Sequence, residues 1–112
     1  MTEKITPIDL EFGAKLVSND KAMAKELITM LLAALPEHKK EIIAAYESNN
    51  LEALAKATHK LHGATCYTGT PRLKISVAEL ELAAKHHETD RLKTLYENLI
   101  QEIELVLNYP FQ

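Results

Sequence analysis

The chain has 112 residues, of which 46% are apolar and 26% are charged, and its formal net charge is −3. These values are typical of one globular domain, and the absence of a basic patch argues against nucleic acid as a partner. No apolar run approaches the roughly 20 residues that cross a bilayer, and the single cysteine cannot form an internal disulfide. We therefore expect one cytoplasmic domain over residues 1–112, without direct membrane contact.

The composition predicts helices and no strands. Ala, Leu, Lys and Glu are abundant, whereas the β-branched and aromatic runs typical of strands are missing. Residues 1–7 have no periodicity and are predicted to form a flexible tail. A short helix follows from Ile8 to about Leu16, with Leu10, Phe12 and Leu16 as its apolar contacts.

Four longer amphipathic helices are predicted after this short one. Their apolar residues recur every three or four positions, which is the spacing of a helix with one buried face. The predicted bounds are Lys21 to about Ser48, Leu51 to about Tyr67, Pro71 to about His86, and Asp90 to about Leu107. Short connections between long helices favour antiparallel neighbours. The predicted fold class is therefore all-α: an antiparallel four-helix bundle with a short extra N-terminal helix.

Individual residues predict further details of these helices. In the first long helix an apolar stripe is predicted at Met23, Leu27, Met30, Leu31 and Ala34. Ile28, Leu32 and Leu35 widen it, and Ile42, Ile43 and Tyr46 continue the buried face. Pro36 lacks an N–H and must either kink that helix or start a new one. Gly69 is placed to end a helix in the left-handed conformation, and Thr70 to cap the next one ahead of Pro71. Three histidines are assigned to helix ends or solvated faces without a role: His38, His86 and His87.

The chemistry-bearing residues cluster at Thr58–Gly63, near the middle of the chain. At about 100° per residue, Leu61 faces the core, whereas His59 points about 160° away from it. Gly63 lies one helical turn after His59 on the same outer face. Packing does not explain an outward histidine followed by a glycine, so a functional explanation is needed.

Three kinds of chemistry can be weighed for this cluster. His59, His62 and Cys66 could share a metal ion, but no local side chain completes the four ligands that zinc prefers, so we expect no metal. A Cys66 nucleophile would need an oxyanion-stabilising loop that the sequence lacks. Glycine-rich nucleotide loops are also missing, so we expect no independent ATP-dependent kinase activity. The remaining hypothesis is that His59 itself accepts a phosphoryl group from a partner protein.

Several motifs support this hypothesis. Thr58-His59-Lys60-Leu61-His62-Gly63 resembles the core motif of histidine phosphotransfer (HPt) domains. Gly69-Thr70-Pro71-Arg72-Leu73, Leu80-Glu81, Ala83-Ala84 and Leu31-Leu32-Ala33-Ala34-Leu35-Pro36 also resemble that family. The resemblance covers nearly the whole chain and is strongest to the C-terminal HPt domains of BarA-type hybrid sensor kinases.

The resemblance implies a phosphorelay intermediate. His59 would be the phosphorylated residue, exchanging phosphate with aspartates on response-regulator receiver domains. The chain would need no cofactor of its own, because the receiver supplies Mg²⁺. A domain of this kind is compatible with a monomer and occurs inside membrane-bound hybrid sensor kinases. The docking surface is expected to surround His59 and to comprise Lys56, Lys60, His62, Gly63 and Cys66.

One position departs from the family pattern. The family usually has a lysine where this chain has His62, and an imidazole is positive only when it is protonated. We hypothesise that His62 contacts the phosphoryl group or the docking receiver. The alternative function is a non-catalytic helical module that binds receiver domains without phosphotransfer.

Overall fold

The computed structural model describes residues 5–111. It contains five helices: α1 Leu10–Leu16, α2 Lys21–Glu47, α3 Leu51–Thr65, α4 Pro71–Lys85 and α5 Thr89–Asn108. No strand occurs between residues 5 and 111, and the predicted all-α architecture with a short N-terminal helix is confirmed. Part of the expected tail, residues 1–4, lies outside the described residues. None of the described helices is long and apolar enough to cross a membrane.

The core lies between α2, α3, α4 and α5. Helix α3 packs against α2 and α4, while α5 packs against α4 and α2. One apolar face of each of α3, α4 and α5 is buried, as the spacing of their apolar residues predicts, and fully buried side chains include Leu54, Leu61, Leu73, Val77, Leu80, Leu99 and Ile103. This arrangement holds the outer face of α3 on a rigid support.

The stripe predicted for α2 is partly wrong. Met23 and Met30 are exposed, whereas Ile28, Leu31, Leu35 and Ile42 are buried as predicted. The apolar face of α2 is wider than the neighbouring helices can cover, so part of it stays exposed. The suggestion that Pro36 starts a new helix is also wrong, since α2 continues through it as one element. Pro36 itself is exposed, and buried Leu35 and Ile42 hold the flanking turns on the core.

The turn between α3 and α4 is packed directly beneath α1. Gly69 has a φ of +63°, the left-handed conformation that the sequence predicts. The Asp9 N–H donates to the Gly69 carbonyl oxygen at 2.8 Å. A Cβ on Gly13 would lie 3.2 Å from the Gly69 Cα, so the two glycines let α1 approach the turn closely. The expected contact by Phe12 is wrong, because that residue is 41% exposed and the buried residues of α1 are Gly13 and Ala14.

Thr70 stands at the N-cap position of α4, but its side chain makes no capping hydrogen bond. Its hydroxyl instead pairs with the Thr68 hydroxyl at 3.0 Å, and both residues are buried. The predicted position of the cap is therefore right and the predicted capping bond is wrong. Burial in the turn gives the hydroxyl a nearer partner than the first N–H groups of the helix.

Candidate functional site

His59 projects from the outer face of α3. The helix begins after Asn50, whose side-chain oxygen accepts a hydrogen bond from the Ala53 N–H at 3.0 Å. The buried side of the helix holds Leu54 and Leu61, and the His59 side chain on the opposite side is 72% exposed. The predicted orientation of His59 is thus confirmed, and its imidazole is accessible to a partner.

A buried carboxylate from the neighbouring helix holds this imidazole. The Glu81 side chain, on α4, is only 7% exposed. Its Oε2 lies 2.7 Å from His59 Nδ1, and its Oε1 lies 2.8 Å from His62 Nδ1. Lys85, one turn further along α4, places its Nζ 2.7 Å from Oε2. One carboxylate therefore contacts two imidazoles and an ammonium group.

The charge of Glu81 fixes the protonation of His59 at Nδ1. Burial alone would raise the pKa of Glu81, but hydrogen bonds from Lys85, His59 and His62 hold it at about 2. An ionised carboxylate can only accept hydrogen bonds, so His59 Nδ1 must donate its proton to it. In the neutral imidazole, Nε2 is then the unprotonated ring nitrogen and has the free lone pair.

The sequence motifs included Glu81, but no role for it or for Lys85 followed from them. A signal was available, because Glu81 lies four residues after Val77 and directly after Leu80, both of them buried. A carboxylate on the core face of a helix needs compensating partners. The sequence does not say which partners these are, since that depends on how α3 and α4 are aligned.

The two lysines of the expected docking surface lie on the other side of α3, toward α2. Both are exposed, and they line a groove of about 470 Å³ whose floor is formed largely by alanines. Lys60 Nζ is 3.4 Å from both carboxylate oxygens of Glu41, on α2. His59 and His62 instead line a separate groove of about 430 Å³ between α3 and α4, together with Leu82. The five expected surface residues are therefore distributed along both sides of α3.

Gly63 and Cys66 complete the expected surface. Gly63 is exposed, and a Cβ built on it would have no atom of residues 5–111 within 4 Å beyond its own helix backbone. Cys66 is partly buried at the C-terminal end of α3, where its Sγ lies 3.5 Å from the His62 carbonyl oxygen. The fold does not require a glycine at position 63, which leaves open space beside His59.

An exposed apolar flank was missed as part of the site. Met30 is 64% exposed, and with Leu27 and Ala34 of α2 it lines a cavity of about 260 Å³. The cavity is completed by Leu31, Ala64 and Thr68. Ala64 directly follows Gly63 in sequence but lies about 100° further round α3, so this apolar surface is on the side of α3 that faces α2.

Comparison with known proteins assigns this arrangement to a family. The family model described as "Hpt domain" matches residues 26–109, a range that includes His59, His62, Glu81 and Lys85. The chain belongs to the Hpt domain family. Membership supports a phosphotransfer role in two-component signalling.

Three relatives illustrate this membership. The Hpt chain is 32% identical over 90 residues to "Sensor histidine kinase GacS" of Pseudomonas protegens, a match that covers 80% of this chain and 10% of the kinase. It is 30% identical over 101 residues to "Signal transduction histidine-protein kinase BarA" of Escherichia coli K12, covering 88% of this chain and 11% of the kinase. The solved HPt domain of a hybrid histidine kinase from Shewanella matches with a TM-score of 0.74, 26% identity and 92% coverage of both chains. The chain thus spans about a tenth of the length of the two kinases.

The remaining histidine assignments of this Hpt domain need one correction. His86 and His87 are exposed, as expected, but His38 is only 9% exposed. Burial and the nearby Lys60 ammonium lower the pKa of His38. The prediction was wrong because α2 turns this side chain inward, toward the rest of the bundle.

The metal alternative finds no support in the geometry. Across residues 5–111, no group of three or more His, Cys, Asp or Glu side chains is arranged to hold a metal ion. His59 and His62 direct their Nδ1 atoms to Glu81, and Cys66 contacts a carbonyl oxygen. The predicted contact of His62 with a phosphoryl group or a receiver stays a prediction, and the contact that the structure contains is with Glu81.

Proposed function

We propose that this chain is a phosphorelay intermediate that accepts a phosphoryl group on His59 Nε2 from a receiver-domain aspartate and passes it to another receiver-domain aspartate. The observation that supports this most directly is an exposed imidazole whose Nδ1 is hydrogen-bonded to a buried carboxylate, Glu81, at 2.7 Å. That bond orients the ring and leaves Nε2 as the nucleophile.

The transfer step is a displacement at phosphorus. The Nε2 lone pair attacks the phosphoryl group of the aspartyl phosphate, a nitrogen–phosphorus bond forms, and the bond from phosphorus to the aspartate oxygen breaks. The receiver carboxylate leaves with the electron pair of the broken bond. The ring keeps its proton on Nδ1 and gains positive charge, which the Glu81 carboxylate offsets. The reverse sequence delivers the group to a second receiver.

This chain would supply the nucleophile and its orientation, and the receiver would supply the rest. We propose that Mg²⁺ is held by the receiver's own carboxylates and neutralises the charge on the transferred group. A rigid helix with a fixed ring reduces the entropy lost when the two reacting atoms meet. No cofactor of this chain takes part in the proposed step.

The docking surface that we propose centres on the open side of His59. Because Nδ1 faces Glu81 on α4, Nε2 lies on the ring edge directed away from that carboxylate. Gly63 leaves space there, and Met30 belongs to the exposed apolar flank on the side of α3 that faces α2. Burial of this flank would contribute affinity, while Lys56 and Lys60 would mainly speed encounter with an acidic partner. Contact should be weak, since a carrier must release both receivers.

The setting of the domain is also a proposal. The kinases that it resembles are about eight times as long as this chain, and 10–11% of their length is matched. We propose that the domain works in the cytoplasm as a monomer, either within a hybrid sensor kinase or beside one. A single sedimenting species of 12.6 kDa would support the monomer, whereas a stable dimer would contradict it.

The test of the proposed function is transfer from a phosphorylated receiver. We expect the label to reach wild type as an acid-labile, base-stable adduct, and to be absent from His59→Gln because no other ring has this arrangement of exposure and contact. His86→Gln, which removes another exposed histidine, is the matched control and should be labelled normally. Label on His59→Gln, or binding of the receiver without any label on wild type, would contradict phosphotransfer at His59. The second outcome would favour the non-catalytic interaction module.

A further inference from the structure

We infer that His62 and Lys85 set how readily His59 releases its phosphoryl group, by competing with it for the single carboxylate of Glu81. Lys85 Nζ and His59 Nδ1 contact the same oxygen, Oε2, each at 2.7 Å. His62 Nδ1 contacts the other oxygen, Oε1, at 2.8 Å. The inference rests on the proposed function, because it concerns the phosphorylated form of His59.

The physical basis is that phosphorylation of His59 strengthens its hydrogen bond to Glu81. The neutral imidazole donates an ordinary hydrogen bond through Nδ1, whereas the phosphorylated ring has gained positive charge. Its bond to the carboxylate is then between two charged groups, which is the stronger kind. Glu81 therefore stabilises the phosphorylated state more than the unphosphorylated one. That difference shifts the equilibrium between phosphohistidine and phosphoaspartate toward this chain.

The other two donors reduce this stabilisation. Each bond that the carboxylate accepts from His62 or Lys85 offsets part of its negative charge, so less remains for His59. A carrier needs an intermediate transfer potential, because a phosphoryl group that is held too firmly cannot pass to the next receiver. Because three donors share one carboxylate, they can hold the transfer potential at an intermediate value through Glu81, without contacting the phosphoryl group.

The two competitors should differ in strength. The Lys85 side chain is 51% exposed, so solvent screens its charge and its effect should be small. The His62 side chain is 32% exposed and its bond to Oε1 is better shielded from water. An ammonium group placed at position 62, as in the usual family pattern, would offset more of the carboxylate charge than a neutral imidazole does. With a histidine at this position, the equilibrium should therefore favour phosphohistidine more than it would with a lysine.

The experiment measures an equilibrium ratio. The full chain is mixed with a phosphorylated receiver and Mg²⁺, and phosphohistidine is compared with phosphoaspartate after the ratio stops changing. We expect His62→Leu to shift the ratio toward phosphohistidine by roughly three- to tenfold, and Lys85→Met by about two- to threefold. His62→Lys should shift it in the opposite direction, toward phosphoaspartate.

A matched control is available on the same helix. Lys74→Met removes the same charge about three turns before Lys85, on the same face of α4, and should leave the ratio unchanged. In ¹⁵N spectra of each variant, the proton of His59 should stay on Nδ1. A merely structural role for His62 or Lys85 would lower the folded fraction without moving the ratio of the folded protein.

The outcomes separate the two proposals. Label on His59 in every variant, with one common ratio, would overturn this inference and leave the proposed function intact. A shift toward phosphoaspartate in Lys85→Met would mean that the ammonium acts on the phosphoryl group directly, and it would also overturn the inference alone. Failure of wild type to become labelled would overturn both.

Discussion

Two glycines six residues apart, Gly63 and Gly69, have opposite relations to the rest of the molecule. A Cβ on Gly69 would lie 2.6 Å from the Asp9 carbonyl oxygen and 2.9 Å from the Gly13 Cα, and its φ is +63°. A Cβ on Gly63 would meet no neighbour within 4 Å in the part of the chain that the structure describes. The fold therefore requires Gly69 and tolerates replacement of Gly63. Packing within the described residues gives no reason for a glycine beside His59, which agrees with the proposal that a partner approaches it there.

The largest effect that this comparison predicts is on stability, in Gly69→Ala. The new side chain would be strained in the left-handed conformation and would push α1 off the turn. We expect the free energy of unfolding to fall by about 2–4 kcal/mol. Urea denaturation measures it. A loss below about 0.5 kcal/mol would show that α1 can move aside easily, and the contrast with Gly63 would disappear.

A second prediction concerns Glu81, the buried carboxylate that contacts His59, and its contribution to the stability of the fold. The pKa of Glu81 in the folded chain is about 2, below its ordinary value of 4.5. A lowered carboxyl pKa stabilises the fold above the unfolded value, and this contribution is lost as the pH falls from 4.5 toward 2. We expect wild type to lose roughly 1–3 kcal/mol more than Glu81→Gln over this range. Thermal unfolding at several pH values checks this, and parallel curves for the two proteins would contradict it.

The smallest predicted effects concern Gly63. Gly63→Ala should raise the free energy of unfolding by about 0.5–1 kcal/mol, because alanine favours the helix and meets no neighbour. Gly63→Leu should raise the KM for a phosphorylated receiver by roughly tenfold with little change in stability, since its side chain would occupy the partner's space. Thr94→Leu, at an exposed position of α5, is the control and should leave KM unchanged. An unaltered KM in Gly63→Leu would remove the partner as the explanation for this glycine.

The predictions from sequence were most accurate where the physics is local. The outward direction of His59 follows from 3.6 residues per turn and the buried position of Leu61, and both sit on one helix. The left-handed conformation of Gly69 follows from its place after one helix and directly before Thr70 and Pro71, which begin the next. Such signals act between residues a few positions apart, so they need no knowledge of how helices pack.

The errors occurred where neighbouring helices decide the outcome. Met30 belongs to an apolar stripe, yet only the packing of α1, α3 and α5 determines which part of the broad face of α2 is covered. His38 was placed in solvent because its inward orientation depends on the same packing. Thr70 was expected to cap α4, but the turn brings the Thr68 hydroxyl closer.

The sequence by itself determined that this protein is helical, where most of its helices begin and end to within about two residues, and that His59 faces outward with a glycine one turn later. Only the tertiary structure decided that the imidazole shares a buried carboxylate with His62 and Lys85. Glu81 is 22 residues from His59, and the bond between them requires one particular alignment of α3 against α4. Helix periodicity sets the face on which each side chain lies, but the alignment of two helices depends on how their buried side chains interdigitate.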